Sequence, residues 1–162
     1  MRKFGLAPVI DDKTEILILG TLPSDVLLAK GQYYANPSND FWKLIGEVLN
    51  QNFGTLPYER KVETLNAHGI GLWDIYHNCM RPGSMDSDIT EHELNDFKTL
   101  KEIAPRLSRV CFNGRKAGAS EKLLRDLGYL TFVLPSSSGA NRRDQKDRLR
   151  CWKAGCSLFL SP

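Results

Sequence analysis

Short apolar runs that alternate with helix-period segments predict an α/β fold: a three-layer α-β-α domain on a central, mostly parallel four-stranded sheet. Three observations carry that prediction. Glu15-Ile16-Leu17-Ile18-Leu19-Gly20 is a continuous apolar run ended by glycine, as in a strand buried on both faces. Comparable runs recur at Leu72–Tyr76, Arg109–Phe112 and Tyr129–Leu134, with helical patterns between them. The chain has 162 residues, 41% of them hydrophobic and 25% charged, which suits one globular domain, here taken as residues 1–162. A parallel sheet follows because strands separated by helices return in the same direction by right-handed crossovers.

The elements read in order as follows. After the strand at 15–20 the chain is loop-like as far as Pro37. Phe41, Trp42, Leu44, Ile45, Val48 and Leu49 then recur at helical spacing, with Ser38, Asn39 and Asp40 as a polar start. A second helix covers Tyr58 to His68 and stops at Gly69. Leu72–Tyr76 is the next strand. Thr90-x-x-Glu93 has the form of a capping box, so a helix is expected from there to just before Pro105. Arg109–Phe112 is a third strand closed by Asn113-Gly114. Lys116 to Leu127 is helical with Gly128 as its C-terminal cap. Tyr129–Leu134 is the fourth strand, and a last helix follows Asp144.

Composition narrows the function classes. A domain of this size buries roughly two-thirds of its unfolded surface and needs no disulfide or metal to stay folded. Cys79, Cys111, Cys151 and Cys156 contain no C-x-x-C pair, so four thiols in a reducing compartment are expected rather than an iron–sulfur site. His68, His77 and His92 lack metal-ligand spacing, and no metal or cofactor is expected. The basic N-terminus has no apolar stretch of signal-peptide length, and no segment approaches a membrane span. A cytoplasmic monomer is the expectation. Net charge is +3 with a pI near 8.7, which permits a polyanionic partner without requiring one. The cations concentrate in Asn141–Arg150, where acidic residues are interleaved.

Ligands of open α/β sheets bind outside the carboxyl ends of the strands. Two of those ends carry unusual loops. The first runs from Gly20-Thr21-Leu22-Pro23-Ser24 to Asn39, and the second is Leu134-Pro135-Ser136-Ser137-Ser138-Gly139-Ala140-Asn141. The first lacks the glycine pattern that a pyrophosphate requires, which argues against a nucleotide-binding domain.

Tyr33-Tyr34-Ala35-Asn36-Pro37-Ser38-Asn39-Asp40-Phe41-Trp42 resembles the first active-site region of the uracil-DNA glycosylase superfamily, closest to its hypoxanthine branch and similar to the mismatch-specific enzymes. Leu134 to Arg142 looks like the second region, the loop that enters the duplex. The order and separation of the two motifs extend the resemblance over nearly the whole chain. Departures are informative. The mismatch enzymes have an asparagine, which holds the attacking water, where this chain has Leu22. Related families have glycine in place of Ser24, and histidine is common in place of Asn36. Resemblance to the hypoxanthine branch moves the water-holding role to Asn39.

The resemblance implies a base-excision enzyme whose partner is DNA containing a deaminated base. A base inside a duplex cannot be reached, so its nucleotide must be extruded and read by stacking and hydrogen bonds. Tyr34 is the expected stacking face, with Tyr33 a packing residue. Backbone groups of Thr21 and Leu22, and Ser136, are expected at the base edge. Asn39 is the catalytic candidate: its amide oxygen would hold water beneath the anomeric carbon and its dipole would favour the cationic sugar. The alternative for Asn39 is a helix cap. Ser138, Gly139, Ala140, Asn141, Arg142 and Lys116 are expected at the DNA, with Ala140 or Asn141 as the wedge. The serines could equally be turn formers, and Asp74 could face the site or cap a nearby loop. Two further functions stay open: a uracil or mismatch glycosylase, and a non-catalytic DNA-binding relative.

Overall fold

The computed structural model describes residues 2–23, 25–80, 90–141 and 145–157. Four parallel strands form the central sheet: β2 (Ile16–Gly20), β3 (Ile70–Asp74), β6 (Arg109–Asn113) and β7 (Leu130–Leu134), in the order β3-β2-β6-β7. The middle strand β2 is buried along its whole length, which is why it reads as an unbroken apolar run. Its alternating side chains feed two cores. Ile16 and Ile18 pack on one face with Phe41, Ile45, Leu65 and Trp152, whereas Leu17 and Leu19 pack on the other with Phe97, Leu100, Ala117 and Leu124. Helices α2 (Phe41–Leu49), α3 (Tyr58–Ala67) and α7 (Gln145–Cys156) supply the first layer. A 3₁₀ turn (Phe97–Thr99), α4 (Leu100–Ile103), α5 (Arg115–Gly118) and α6 (Glu121–Asp126) supply the other. This is the expected three-layer α/β architecture.

Several local expectations are corrected. The loop after β2 contains a short helix, α1 (Asp25–Lys30). The strand expected at 72–76 straddles a change of sheet: β3 ends at Asp74, and β4 (Tyr76–Met80) joins a second sheet. That sheet is antiparallel in the order β1-β4-β5, with β1 (Arg2–Phe4) and β5 (Thr90–Leu94) flanking β4. The capping-box segment is therefore a strand and not a helix start. Glu93 accepts a hydrogen bond from Asn78 Nδ2 at 2.8 Å across the pair, and the helical cap is instead Asp96, which accepts from Lys98 N at 3.1 Å. A four-residue pattern carries little weight against a pairing that joins three strands. The helix expected over 116–127 is broken between α5 and α6. There Gly118 lies so close to β7 that a β-carbon would sit 2.7 Å from Val133 Cγ1.

None of the four cysteines is joined in a disulfide. Cys111 and Cys156 lie in one core, where a hydrogen bond with Cys111 and then burial push the Cys156 thiol well above its ordinary value. Both pack as small apolar groups. Among the described residues no helix is long and apolar enough to cross a membrane, and no group of three His, Cys, Asp or Glu side chains could hold a metal ion.

Candidate active site

The carboxyl ends of β3, β2, β6 and β7 bring together Asp74, Gly20, Asn113 and the loop that follows Leu134. Over this edge the chain lays Tyr34 and Asn39. An Asx turn shapes their loop: Asn36 Oδ1 accepts from Ser38 N at 2.9 Å and from Ser38 Oγ at 2.8 Å, and Asn39 N donates to Asn36 O at 2.9 Å.

Tyr34 adopts a left-handed backbone, with φ of 55°, a conformation that costs a non-glycine residue of order 1–3 kcal/mol and concentrates at functional sites. One face of its ring is stacked on Phe41, with centroids 4.0 Å apart and planes inclined by 21°. Its hydroxyl accepts from Asn113 Nδ2 at 3.2 Å. Tyr33, by contrast, is buried as expected, and its hydroxyl donates to the carbonyl of Ala7 at 2.8 Å. Gly20 leaves little room beneath Tyr34: a β-carbon there would lie 3.1 Å from the Tyr34 hydroxyl and 3.0 Å from Asp74 Oδ1. Asp74 is buried and brings a carboxylate to the same edge.

Asn39 is half-buried, and its side chain is fixed by two donors. Its Oδ1 accepts from Phe41 N at 2.9 Å, which makes it a cap of α2, and from Ser137 Oγ at 2.8 Å. This corrects two details of the expectation: Oδ1 is not open to water, and the amide turns its positive end outward, so its dipole does not favour a cationic sugar. The oxygen that was to hold water already receives two hydrogen bonds, the usual capacity of an amide oxygen, so Nδ2 is the group Asn39 offers outward. A cleft of about 380 Å³ opens here, lined by Tyr34, Asn39 and Trp42 with Lys30 and Lys61 at its sides.

The second loop is clamped onto the first. Asp40 N donates to Ser137 O at 2.9 Å, and Arg148 holds Asp40 Oδ2 at 2.8 Å while donating to Asn141 O at 2.8 Å. Trp152 Nε1 donates to Pro135 O at 2.8 Å. Gly139 passes so near Ser38 that a β-carbon would lie 2.1 Å from its carbonyl oxygen; only glycine fits this contact. Asn113 completes the lock, donating to Ser137 Oγ at 2.8 Å and accepting from Ser137 N at 2.9 Å.

Other expected site residues fare differently. The chain keeps pairing past the end of β2, and the Thr21 carbonyl accepts from Tyr76 N at 3.2 Å. Leu22 sends its side chain into the core below the sheet. Ser136 Oγ accepts from Ser138 N and Ser138 Oγ from Ala140 N, so both serines form turns; each hydroxyl proton is still able to point outward. Ala140 is exposed at the tip. Asn141 is turned inward, its Nδ2 donating to Ser136 O at 2.9 Å. Lys116 is exposed on α5, directly after Asn113-Gly114. Arg142, Arg143 and Ser24 lie outside the described residues. Arg148, in the tract read as a cation surface, is buried at the clamp.

Asn113 and Ser137 were missed as site residues. Asn113 could have been noticed as a polar side chain at the carboxyl end of a buried parallel strand. Nothing in a run of three serines distinguishes Ser137 from its neighbours.

The amides of Asn39 and Asn113, the ring of Tyr34 and the carboxylate of Asp74 thus meet at the carboxyl edge of a parallel sheet, an arrangement in keeping with the DNA glycosylase class. The chain belongs to the uracil DNA glycosylase superfamily, whose family profile matches residues 7–155. It is 54% identical over 154 residues to a hypoxanthine DNA glycosylase of Methanosarcina acetivorans, covering 95% of this chain and 98% of that one. A second protein of that name, from Methanosarcina barkeri, is 48% identical over 152 residues, covering 94% and 96%. A G/U mismatch-specific uracil DNA glycosylase of Schizosaccharomyces pombe is 30% identical over 109 residues, covering 64% of this chain and 32% of that protein. A solution NMR structure from Methanosarcina acetivorans, described as a candidate uracil DNA glycosylase, superposes with a TM-score of 0.88 at 54% identity, covering 96% and 97%.

Proposed function

We propose that this chain is a monofunctional DNA glycosylase that releases hypoxanthine from DNA, leaving an abasic site. One observation carries the reading: Tyr34 and Asn39, in the two roles the reaction requires, are held by a single hydrogen-bonded chain through Asn113 and Ser137. The near-full-length hypoxanthine DNA glycosylase relatives support it.

The extruded base stacks on the ring of Tyr34, which Phe41 backs and the left-handed backbone holds in place. A purine needs a broad platform, and a ring with two torsions supplies one at low entropy cost. Cleavage breaks the bond between the sugar and the base nitrogen, and the electron pair leaves with the base. Positive charge builds on the sugar and negative charge on the base. Asn39 Nδ2 donates to the oxygen of a water, which keeps a lone pair aimed at the anomeric carbon; that oxygen bonds the carbon and releases its proton to solvent. The loop at 136–141 fills the gap in the duplex, with Ala140 at its tip. The backbone of the DNA meets cations, for which Lys116, Lys61 and Arg142 are the candidates. Both motifs lie on one chain, which supports action as a monomer, and four cysteines outside disulfides suit the reducing cytoplasm.

The uracil or mismatch reading is the alternative, supported by the Schizosaccharomyces pombe relative. Leu22 argues against it, because the position that carries an amide in those enzymes holds here a side chain that is 6% exposed and packed in the core.

Labelled oligonucleotides carrying hypoxanthine, uracil, thymine opposite guanine, or normal bases separate the readings after alkali treatment of the products. The proposal expects strand breaks first at hypoxanthine. Faster breakage at uracil moves the chain to the other branch, and no breakage at any base supports a binding relative.

A further inference from the structure

We propose that Ser137 is a positioning residue for base release, its hydroxyl fixing the Asn39 amide so that Nδ2 faces the attacking water. This rests on the reading of Asn39 as the catalytic amide. Ser137 is completely buried, and its backbone and side-chain groups are all engaged within the site. Its N–H donates to Asn113 Oδ1, its carbonyl accepts from Asp40 N, and its hydroxyl accepts from Asn113 Nδ2. Because the hydroxyl oxygen takes the Asn113 proton, its own proton goes to Asn39 Oδ1, 2.8 Å away. The Phe41 N–H converges on the same oxygen.

Two donors on one atom define the orientation of the amide. Turning it over would set Nδ2 against the Phe41 N–H, a donor–donor contact, and would leave the buried Ser137 proton without its acceptor. Without Ser137 only the Phe41 contact remains, and the amide plane can swing about it. The other donor proton of Asn113 Nδ2 goes to the Tyr34 hydroxyl. Ser137 therefore also ties the amide to the stacking platform across three separate elements: the first loop, the end of β6 and the second loop. A serine that only formed a turn would need none of this, as Ser136 and Ser138 illustrate, their hydroxyls accepting only from backbone N–H groups of their own loop.

Single-turnover base release and DNA binding, measured for Ser137→Ala, Asn39→Ala and the double variant, test the proposal. Ser137→Ala should slow release roughly tenfold, about the worth of one net hydrogen bond, with DNA affinity unchanged. In the Asn39→Ala background the same change should cost less than about twofold, because the two residues act as one unit. The Asn39 side-chain ¹⁵N–¹H pair, assigned by its loss in Asn39→Ala, should shift in Ser137→Ala. If Ser137→Ala does not fold, Ser137→Cys, which keeps the volume and a weak donor, should give an intermediate rate. A slow Asn39→Ala with a wild-type Ser137→Ala overturns this proposal and leaves Asn39 standing. So does a loss that persists in full in the double variant. A wild-type rate for Asn39→Ala removes the role of Asn39 and this proposal with it.

Discussion

Arg148 Nη2 lies 2.8 Å from Asp40 Oδ2, with side chains 4% and 16% exposed, so the last helix is ionically bonded to the residue just before α2. The same guanidinium donates to Asn141 O, which places it between the two loops that form the site. Removing one member of a buried pair leaves the other charge without its partner and costs about 3–5 kcal/mol. Arg148→Ala should lower the urea midpoint accordingly, and Arg148→Met with Asp40→Leu should recover much of the loss. The dependence of DNA affinity on salt should keep its slope. A lower slope with intact stability would show that Arg148 meets phosphate instead.

Lys61 and Lys116 test the cation surface. Lys61 flanks the cleft beside Asn39, its Nζ 5.4 Å from the centre of the Trp42 ring, and Lys116 is exposed beyond Asn113. Changing either to Gln should reduce the slope of log affinity against log salt by about one unit, with base discrimination unaffected. Unchanged slopes for both would place the DNA backbone elsewhere.

Gly139 should tolerate no side chain. In Gly139→Ala the new carbon meets the Ser38 carbonyl at 2.1 Å, so the second loop must lift away from the first. Overpacking of this kind costs about 1–3 kcal/mol. The cost falls on an interface between loops, so DNA binding should weaken about tenfold and the melting temperature should fall by about 2–4 °C per kcal/mol lost. Wild-type binding by this variant would show that the loops need not stay clamped.

Alkaline pH should expose Tyr33. Burial, and then the charge of nearby Asp74, pushes its phenol well above the ordinary 10.0. The native state keeps a proton that the unfolded chain releases, so this stabilisation is complete below about pH 10 and declines as pH rises beyond it. Tyr33→Phe should be less stable near pH 8 by about 1 kcal/mol for the lost bond to Ala7, yet lose less between pH 9.5 and 11. Equal losses in urea titrations of the two proteins would assign the alkaline sensitivity to other groups.

The sheet was legible because burial on both faces leaves a continuous apolar run, and the glycines at 20, 69 and 128 mark where elements stop. The second sheet was not. Arg2–Phe4 and Thr90–Leu94 have no core face of their own and are strands only because they flank β4. Tyr34 and Asn39 could be singled out from their motif, whereas the bonds that fix them could not. Which of three serines turns inward, and that Arg148 faces the clamp while Lys146 faces solvent, depends on where the loop after β7 meets the start of α2. The occupied oxygen of Asn39 is of the same kind: its partner lies 98 positions away in the chain.

Asn39 carries the central claim, and single-turnover release of hypoxanthine by Asn39→Ala tests it most directly when paired with unfolding and DNA-binding measurements. A preorganised polar group of this kind is worth about 3 kcal/mol of barrier, so the rate should fall roughly a hundredfold. Loss of the cap on Phe41 should cost only about 1 kcal/mol of stability, and DNA affinity should stay near that of the unaltered protein. A variant that is less stable but releases hypoxanthine at the unaltered rate per folded molecule would show that Asn39 only caps its helix.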